Sequence, residues 1–226
     1  LFLREKFTVV HVHTPVAAIS TRIAAFIAGI PIVIYTAHGF YFHDGMVLPL
    51  RLIHMISEWL LAKFTTLLLT QSYEDAQLAK KLNFKQASHI FCIGNGVQPN
   101  YFRPSSFKSR RIARLHFGLN TNSIVIGIVA RQVAEKGYIE LFNAFDMLVK
   151  RYPHLQLMIC GSRLDSDHAS SVESSLRALL DKYPLQVINV GSIEEVDVAY
   201  EAMDLFCLPS WREGMPRTII EAMMSQ

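Results

Sequence analysis

Cysteine is scarce in this sequence, which contains three among 226 residues, at positions 92, 160 and 207. An odd number of cysteines with no short spacing between them argues against a disulfide framework and against a structural zinc site. Each cysteine lies in an apolar run that is typical of a buried strand. We therefore expect three buried, reduced thiols, as in a cytosolic protein.

Long apolar stretches and a strong charge of one sign are also missing. The longest run without Asp, Glu, Lys or Arg covers residues 23–43. Gly29 and Pro31 divide this run into a helix end and a strand, so no transmembrane helix is predicted. Charged residues make up 18% of the chain and the net charge is +3. This balance is too weakly basic to indicate nucleic acid as a partner, but it suits an anionic small ligand or a membrane surface.

Short apolar runs alternate with longer amphipathic segments along the whole chain. The apolar runs predict eight strands, at residues 8–12, 31–36, 66–70, 89–93, 124–130, 155–160, 186–190 and 205–208. The longer segments of the first half predict helices at residues 16–28, 46–63 and 72–83. In the second half, two apolar stripes at helical spacing predict helices: Tyr138, Phe142, Phe145, Val149 and Tyr152 in one, and Val172, Leu176, Leu179 and Tyr183 in the other. This alternation predicts an α/β fold with parallel sheets and right-handed crossovers.

A polar segment at residues 98–109, with two prolines, separates the two halves of the chain. We therefore predict two doubly wound α/β domains, covering residues 1–105 and 106–226. In such domains ligands bind beyond the carboxyl ends of the strands. The loops that follow the predicted strands are thus the first places to search for a site.

Two cations occupy the loop after the predicted strand at residues 124–130. Arg131 follows the strand end directly, and Lys136 lies at the entrance of the next helix. Fixed cations beside a helix N-terminus suit a pyrophosphate, and each charge-assisted hydrogen bond would contribute roughly 1.5–3 kcal/mol. Taken alone, the same residues also fit a solvated loop in which Glu135 pairs with one of the cations.

Two glutamates eight positions apart follow the last predicted strand. Gly214 and Pro216 break regular structure after Glu213, and the pattern of residues 218–224 then predicts a helix that carries Glu221. Both carboxylates would lie near a helix N-terminus, where free N–H groups and the helix dipole favour an anion. Carboxylates bind sugar hydroxyls, so the combination suits a sugar joined to a phosphate.

These motifs together resemble those of family 4 glycosyltransferases, which have the GT-B fold. The residues that carry the resemblance lie at 10–15, 35–39 and 94–97 in the first half and at 130–137, 204–210, 213–216 and 221–223 in the second. The tract 36–43 is similar to members that build bacterial capsule and exopolysaccharide. The resemblance implies two Rossmann-like, doubly wound domains, of which both are incomplete here. Because the sequence opens with Leu1 and stops at Gln226 inside a helical pattern, we expect a fragment truncated at both ends.

The resemblance also implies catalytic roles. Arg131 and Lys136 would hold the nucleotide diphosphate, and Glu213 would contact the donor sugar. His38, at a strand end of the first, acceptor-side domain, would face the reacting carbon.

Further residues would bind the donor without taking part in the chemistry. Glu221 would bind the ribose hydroxyls, and the base would stack near Ser192 and Ile193. The turn formed by Gly214, Met215 and Pro216 would help to cradle the sugar and phosphate with its backbone N–H groups. Two positions depart from the family pattern: Gln98 stands where an acidic residue is frequent, and the loop 161–163 lacks a frequent second glycine.

The implied reaction is that of a retaining glycosyltransferase. It would transfer a hexose or N-acetylhexosamine from a nucleoside-diphosphate sugar, with UDP as the expected nucleotide, to a lipid-linked glycan in bacterial surface polysaccharide synthesis. Fixed protein cations would replace a divalent metal, so neither a metal nor any other cofactor is expected. Such an enzyme would be cytoplasmic, with a possible peripheral contact at the inner membrane.

Other functions remain open on the sequence alone. A UDP-sugar epimerase can share the GT-B fold, and a non-catalytic protein could bind the sugar nucleotide without turnover. His11, His13, His38 and His43 with Asp44 could also indicate a metal-dependent hydrolase. That alternative leaves the Arg131–Lys136 loop and the two glutamates unexplained.

Three surface features have both a structural and a functional interpretation. The aromatic residues 40–42 could form an acceptor platform or pack locally. A basic cluster of Lys108, Arg110, Arg111 and Arg114 is typical of a solvated face, although it could contact anionic lipid. The predicted helix at residues 46–63 could lie on a membrane or pack in the core.

Overall fold

The computed structural model describes residues 2–43, 45–167 and 170–225. Leu1, Asp44, His168 and Gln226, on which some of the expectations fall, lie outside the described residues. The chain forms two compact units, Leu1–Asn95 with Glu213–Met215 and Gly96–Arg212 with Pro216–Gln226. The domain boundary after residue 105 stays a prediction.

The first unit is a parallel sheet with helical crossovers. Its elements are α1 (Phe2–Glu5), β1 (Val9–His13), α2 (Pro15–Ile27), β2 (Ile32–Ala37), α3 (Leu48–Ala62), β3 (Leu67–Thr70), α4 (Tyr73–Lys81), a 3-10 turn (Ala87–His89) and β4 (Ile90–Cys92). The strands pair in the order β1-β2-β3-β4, all parallel. The prolines at the starts of α2 and α3 explain where these helices begin, because proline is tolerated only in the first turn. Ser72 caps α4, and its hydroxyl oxygen accepts a hydrogen bond from the Asp75 N–H at 3.0 Å.

A buried ion pair fastens α2 and α3 of the first unit to its sheet. Both terminal nitrogens of Arg22 donate to Glu58 Oε2 at 3.1 Å, and the guanidinium lies 4.3 Å from the ring centre of Tyr35. Arg22 is 1% exposed, so its charge depends on Glu58 for compensation. The pair therefore fixes which face of α3 is buried.

The second unit contains the remaining elements. They are α5 (Phe107–His116), β5 (Ile124–Val129), a 3-10 turn (Ala134–Lys136), α6 (Tyr138–Arg151), β6 (Leu155–Cys160), α7 (Glu173–Lys182), β7 (Val187–Gly191), α8 (Val196–Ala202), β8 (Leu205–Phe206) and α9 (Arg217–Met224). The strands pair in the order β7-β6-β5-β8, again all parallel. Along the chain, β6 and β7 are added on one side of β5, and β8 is then added on its other side. The carboxyl ends of β5 and β8 consequently flank a topological switch point, where open α/β sheets bind ligands.

The predicted α/β class with two parallel sheets is confirmed. The stripe on α6 is buried as expected at Tyr138, Phe142, Phe145 and Val149. Its last predicted member, Tyr152, lies beyond the helix end and is exposed. Among the described residues, none of the helices is long and apolar enough to cross a bilayer.

Several expectations need correction. Cys92 is exposed and only Cys160 is fully buried, because β4 is an edge strand with its last residue open to solvent. The basic cluster is not a solvated face throughout, because Arg114 is 5% exposed and donates to Asp204 Oδ2 at 2.5 Å. This pair joins α5 to the start of β8.

The aromatic residues 40–42 divide between the two interpretations. Phe40 and Phe42 are buried and stack at 5.3 Å in the core of the first unit. Tyr41 is 48% exposed and lies 4.6 Å from the ring of His54. Two of the three therefore pack locally.

Candidate functional site

The switch point of the second sheet carries the loop with both predicted cations. Arg131 follows the end of β5, and Lys136 closes the 3-10 turn that precedes α6. The Tyr138 hydroxyl donates to the Ala130 carbonyl at 2.8 Å, which fixes α6 against the end of β5. The loop is therefore held at both ends.

The loop after β5 packs against the segment after β8. Gly137 has φ +74°, and a Cβ at this position would lie 1.9 Å from the Pro209 carbonyl oxygen. The Trp211 N–H donates to the Glu135 carbonyl at 3.0 Å, and its indole N–H donates to Glu140 at 2.8 Å. Only glycine allows this approach, and Gly137 therefore lets the Lys136 loop pack against the segment that leads to α9.

Arg131 lies between two carboxylates of its own unit. Its Nη1 donates to the Asp167 carboxylate, and its Nη2 lies 3.6 Å from Glu135 Oε1. The Arg131 side chain is 45% exposed, whereas that of Asp167 is 2% exposed. The guanidinium is thus oriented by a buried partner while part of it faces solvent.

Glu221 is a buried carboxylate on α9. It is 7% exposed, accepts a hydrogen bond from the Tyr200 hydroxyl at 3.0 Å and lies 3.5 Å from Arg217. Burial raises the pKa of Tyr200 well above its usual value, and the negative charge of Glu221 raises it further. Tyr200 therefore remains protonated at neutral pH and can donate to the carboxylate continuously.

The loop after β7 carries the residues predicted to contact the base. Ser192 is exposed, and its hydroxyl lies 2.9 Å from that of Ser162, which follows β6. Ile193 is half-buried and packs on the apolar cluster that includes Tyr200. The hydroxyl pair joins the ends of two adjacent strands.

In the first unit, His38 forms a pair with His13. Nδ1 of His13 lies 3.0 Å from Nε2 of His38, and the His11 ring lies 4.3 Å from that of His13. Partial burial lowers the pKa of His13, and the neighbouring His11 and His38 lower it further. His11 itself is hydrogen-bonded to Thr36 at 2.8 Å, as expected for a histidine within a sheet. The lowered pKa favours the neutral form of His13, whose ring nitrogen is within hydrogen-bond distance of His38.

The short segment Glu213–Met215 packs within the first unit. A Cβ on Gly214 would lie 2.8 Å from the His38 carbonyl oxygen, so His38 and this turn approach closely. The Met215 carbonyl accepts from Asn95 Nδ2 at 3.0 Å. Pro216, which belongs to the second unit, is the N-cap residue of α9.

The histidines do not form a metal site in the part of the chain that is described. No group of three or more His, Cys, Asp or Glu residues there could hold a metal ion. Asp44, which the metal-dependent alternative uses, lies outside the described residues.

The structure adds three side-chain pairs that the motifs do not predict. Asp167 binds Arg131, Tyr200 binds Glu221, and His13, which lies in the motif 10–15 without an assigned role, binds His38. Their roles come from contacts between residues 21 to 36 positions apart in the chain, so no local spacing reveals them.

Comparison of the structure with solved proteins identifies its fold. The HepE protein of Anabaena, crystallised with UDP, superposes with a TM-score of 0.78 over 97% of this chain and 58% of its own, at 22% identity. This likeness shows the GT-B fold.

The family follows from the sequence. The model of the family described as glycosyl transferases group 1 matches residues 109–226, and the model of glycosyltransferase family 4 matches residues 1–101. The chain belongs to the group 1 glycosyltransferases, which confirms the resemblance seen in the motifs.

Two curated relatives are named as bacterial glycosyltransferases. The UDP-Gal:alpha-D-GlcNAc-diphosphoundecaprenol alpha-1,3-galactosyltransferase of Escherichia coli is 30% identical over 98% of this chain. The capsular polysaccharide biosynthesis glycosyltransferase CapM of Staphylococcus aureus is 26% identical over 98% of it. The chain spans 57% of the length of each of these relatives.

Proposed function

We propose that the protein is a retaining glycosyltransferase that moves a hexose or an N-acetylhexosamine from a UDP-sugar to a lipid-linked glycan. The observation that carries this proposal is the arrangement at the switch point of the second sheet. There the loop with Arg131 and Lys136 packs against the segment that leads to α9 and its buried Glu221. Two cations that follow β5 and a buried carboxylate on the helix that follows β8 suit a sugar nucleotide.

The names of similar proteins support the choice of donor and acceptor. The Escherichia coli relative is named for UDP-Gal and a diphosphoundecaprenol acceptor, and the Staphylococcus aureus relative for capsular polysaccharide. HepE, which shares the fold, binds UDP in its crystal. We extend these chemistries to this chain as a UDP-sugar donor and a lipid-linked acceptor of bacterial surface polysaccharide.

The proposed reaction needs stabilisation of a leaving group. As the bond between the anomeric carbon and the diphosphate oxygen breaks, negative charge grows on the diphosphate. Arg131, Lys136 and the N-terminus of α9 would stabilise this charge in advance. The acceptor hydroxyl oxygen would attack the same face of the anomeric carbon, and its proton would pass to the leaving phosphate oxygen. This route retains the anomeric configuration without a protein nucleophile.

The other predicted residues would position the donor. Glu221, held by Tyr200, would bind the ribose hydroxyls, and Ser192 and Ile193 would contact the base. Glu213 and His38 would contact the donor sugar, and the backbone from Gly214 through Met215 to Pro216 would help to cradle it.

We also propose a peripheral contact of the first unit with the cytoplasmic face of the membrane. Exposed apolar side chains are concentrated on α2 and α3, where Phe26 is 63%, Ile53 is 61% and Ile56 is 55% exposed. Arg51 and Lys63 lie on or next to α3 and could approach anionic headgroups. Such a contact would bring the enzyme to a lipid-linked acceptor.

The decisive experiment measures turnover in a protein that carries this chain at the full length of its relatives. With a panel of UDP-sugars and a lipid-linked acceptor, we expect Lys136→Ala to lower kcat by about 10²–10³. Lys150→Ala, which removes an exposed lysine of α6, is the matched control and should retain activity. Activity should survive EDTA, since the proposed mechanism uses protein cations in place of a metal.

Three outcomes would contradict the proposal. A loss below threefold in Lys136→Ala would remove the assigned role of this residue. Conversion of the UDP-sugar without an acceptor would indicate an epimerase, and binding without turnover would indicate a non-catalytic protein.

A further inference from the structure

The loop after β6 is fastened to the segment that follows Arg131. The Gln132 N–H donates to the Ser162 carbonyl at 3.3 Å, and the Ala134 N–H donates to the Ser170 carbonyl at 2.9 Å. These two bonds tie both ends of the β6 loop to the segment that carries the predicted diphosphate-binding cations. These backbone hydrogen bonds therefore fix the position of the loop beside Arg131.

The loop presents a buried carboxylate to the guanidinium. Asp167 Oδ1 accepts from Arg131 Nη1, and Asp167 Oδ2 accepts from the Leu164 N–H at 2.9 Å. The side chain of Asp167 is 2% exposed. A carboxylate buried to this degree requires a positive partner, because desolvation without compensation is costly. Arg131 supplies that partner while remaining 45% exposed itself.

The pair changes what Arg131 can offer to a diphosphate. A guanidinium has five N–H donors; Asp167 accepts from Nη1 and Glu135 lies near Nη2, so only part of the donor set remains for a ligand. Asp167 also places a fixed negative charge behind the guanidinium. With Glu135 at 3.6 Å, the charges of Arg131 and Lys136 are matched by two carboxylates before any ligand arrives. A bound diphosphate would be attracted by the cations and repelled by Asp167.

We propose that Asp167 is a positioning residue that acts through Arg131 and limits how tightly the site holds a nucleotide diphosphate. The inference rests on the proposed function, since it assumes that UDP binds at Arg131. Asp167 aligns the guanidinium and offsets part of its charge, so that the UDP product can leave after transfer. A transferase that binds its leaving group strongly in the transition state gains from such a counter-charge, because product release then remains fast.

The test compares UDP with uridine, which lacks the diphosphate. In the same protein at the full length of its relatives, Asp167→Asn keeps an oxygen that can accept from Leu164 but removes the charge. We expect the dissociation constant of UDP, measured by calorimetry, to fall about tenfold, equal to about 1.4 kcal/mol. That of uridine, measured by NMR titration, should stay within twofold. Damage to the fold alone would weaken both ligands, so tightening confined to UDP separates the charge from a structural role.

A matched control removes a carboxylate from another ion pair of the same unit. Asp146 on α6 accepts hydrogen bonds from Lys150 at 2.6 Å and from Tyr183 at 2.8 Å. Asp146→Asn should leave the affinities of both ligands unchanged. Asp167→Glu, which retains the charge, should bind UDP within twofold of the wild type.

The outcomes distinguish this inference from the proposed function. If the wild type binds neither UDP nor uridine, the proposed function and the inference both fail. If the wild type binds UDP and Asp167→Asn binds it equally or more weakly, only the role of Asp167 is overturned. Should Asp167→Asn not fold, Asp167→Ser carries the same expectation, because its hydroxyl can also accept from Leu164.

Discussion

The approach of Gly137 to Pro209 can be tested by adding one methyl group. Gly137 lies between the 3-10 turn that ends at Lys136 and the start of α6. A Cβ at this position would lie 1.9 Å from the carbonyl oxygen and 2.5 Å from the carbonyl carbon of Pro209. Real Cβ contacts stay beyond 3.0 Å, so Gly137→Ala requires the backbone at one of the two positions to shift. The atoms in the way are backbone atoms, which cannot rotate aside as a side chain can.

Two costs add up in this variant. Alanine in the left-handed region costs about 1–2 kcal/mol, and overpacking adds about 1–3 kcal/mol. Gly118→Ala isolates the first cost, because Gly118 has φ +70° and nothing within 4 Å of the added Cβ. Both glycines belong to the second unit. We therefore expect Gly137→Ala to lose about 2–5 kcal/mol of unfolding free energy and Gly118→Ala about 1–2 kcal/mol.

Urea unfolding and UDP titration of both variants measure these effects. Since the shift separates the Lys136 loop from the segment after β8, UDP affinity should fall in Gly137→Ala and remain unchanged in Gly118→Ala. Equal stability of the two variants would show that Pro209 does not crowd Gly137. Unchanged UDP affinity in a destabilised Gly137→Ala would show that the approach of the two loops does not shape the nucleotide site.

Two further predictions concern Glu221 and the apolar surface of the first unit. Tyr200→Phe removes a hydrogen bond to the buried Glu221 carboxylate and should cost about 1.5–3 kcal/mol of unfolding free energy with weaker UDP binding. Tyr183→Phe removes a comparable bond to a carboxylate elsewhere in the unit and should leave UDP binding intact, so equal affinities in the two variants would refute a role for Tyr200. Ile53→Ser should lower co-sedimentation with anionic vesicles by about fivefold or more, because one exposed aliphatic side chain is lost from the contact. Leu185→Ser, at an exposed position of the second unit, is its control, and an equal loss there would exclude a specific surface on α3.

Much of the fold can be predicted from local patterns. The apolar runs identify all eight described strands, and the stripe of Tyr138, Phe142, Phe145 and Val149 identifies α6. These elements are fixed by which side chains must be buried, a property that periodicity reveals. The order of the strands in the second sheet, which creates the switch point, depends on crossovers that the patterns do not specify.

Among the described helices, α1, α5 and α8 escape the sequence patterns, and the last two do so for different reasons. The predicted linker extends to residue 109, but α5 begins at Phe107 because Ser106 and Ser109 form a reciprocal capping box. Serine in place of the usual glutamate at the third helical position makes this signal weak. The helix α8, Val196–Ala202, spans only seven residues, and its buried residues Ala199, Tyr200 and Ala202 are too few to form a recognisable stripe.

The residues proposed to contact the ligand were more predictable than the residues that hold them. Arg131 is recognisable because it follows a strand end and Lys136 because it precedes a helix, whereas Glu221 is recognisable from its place in the helical pattern that follows Gly214 and Pro216. Asp167 and Tyr200 touch no predicted ligand, and their identity matters only because the fold buries them against Arg131 and Glu221. An ion pair with a residue of another loop can orient an exposed guanidinium. A buried carboxylate stays ionised only where a donor, such as a protonated tyrosine, compensates its desolvation. Affinity for the nucleotide should therefore respond to substitutions of Asp167 and Tyr200 as strongly as to substitutions of some contacting residues. The sequence motifs do not identify these supporting positions.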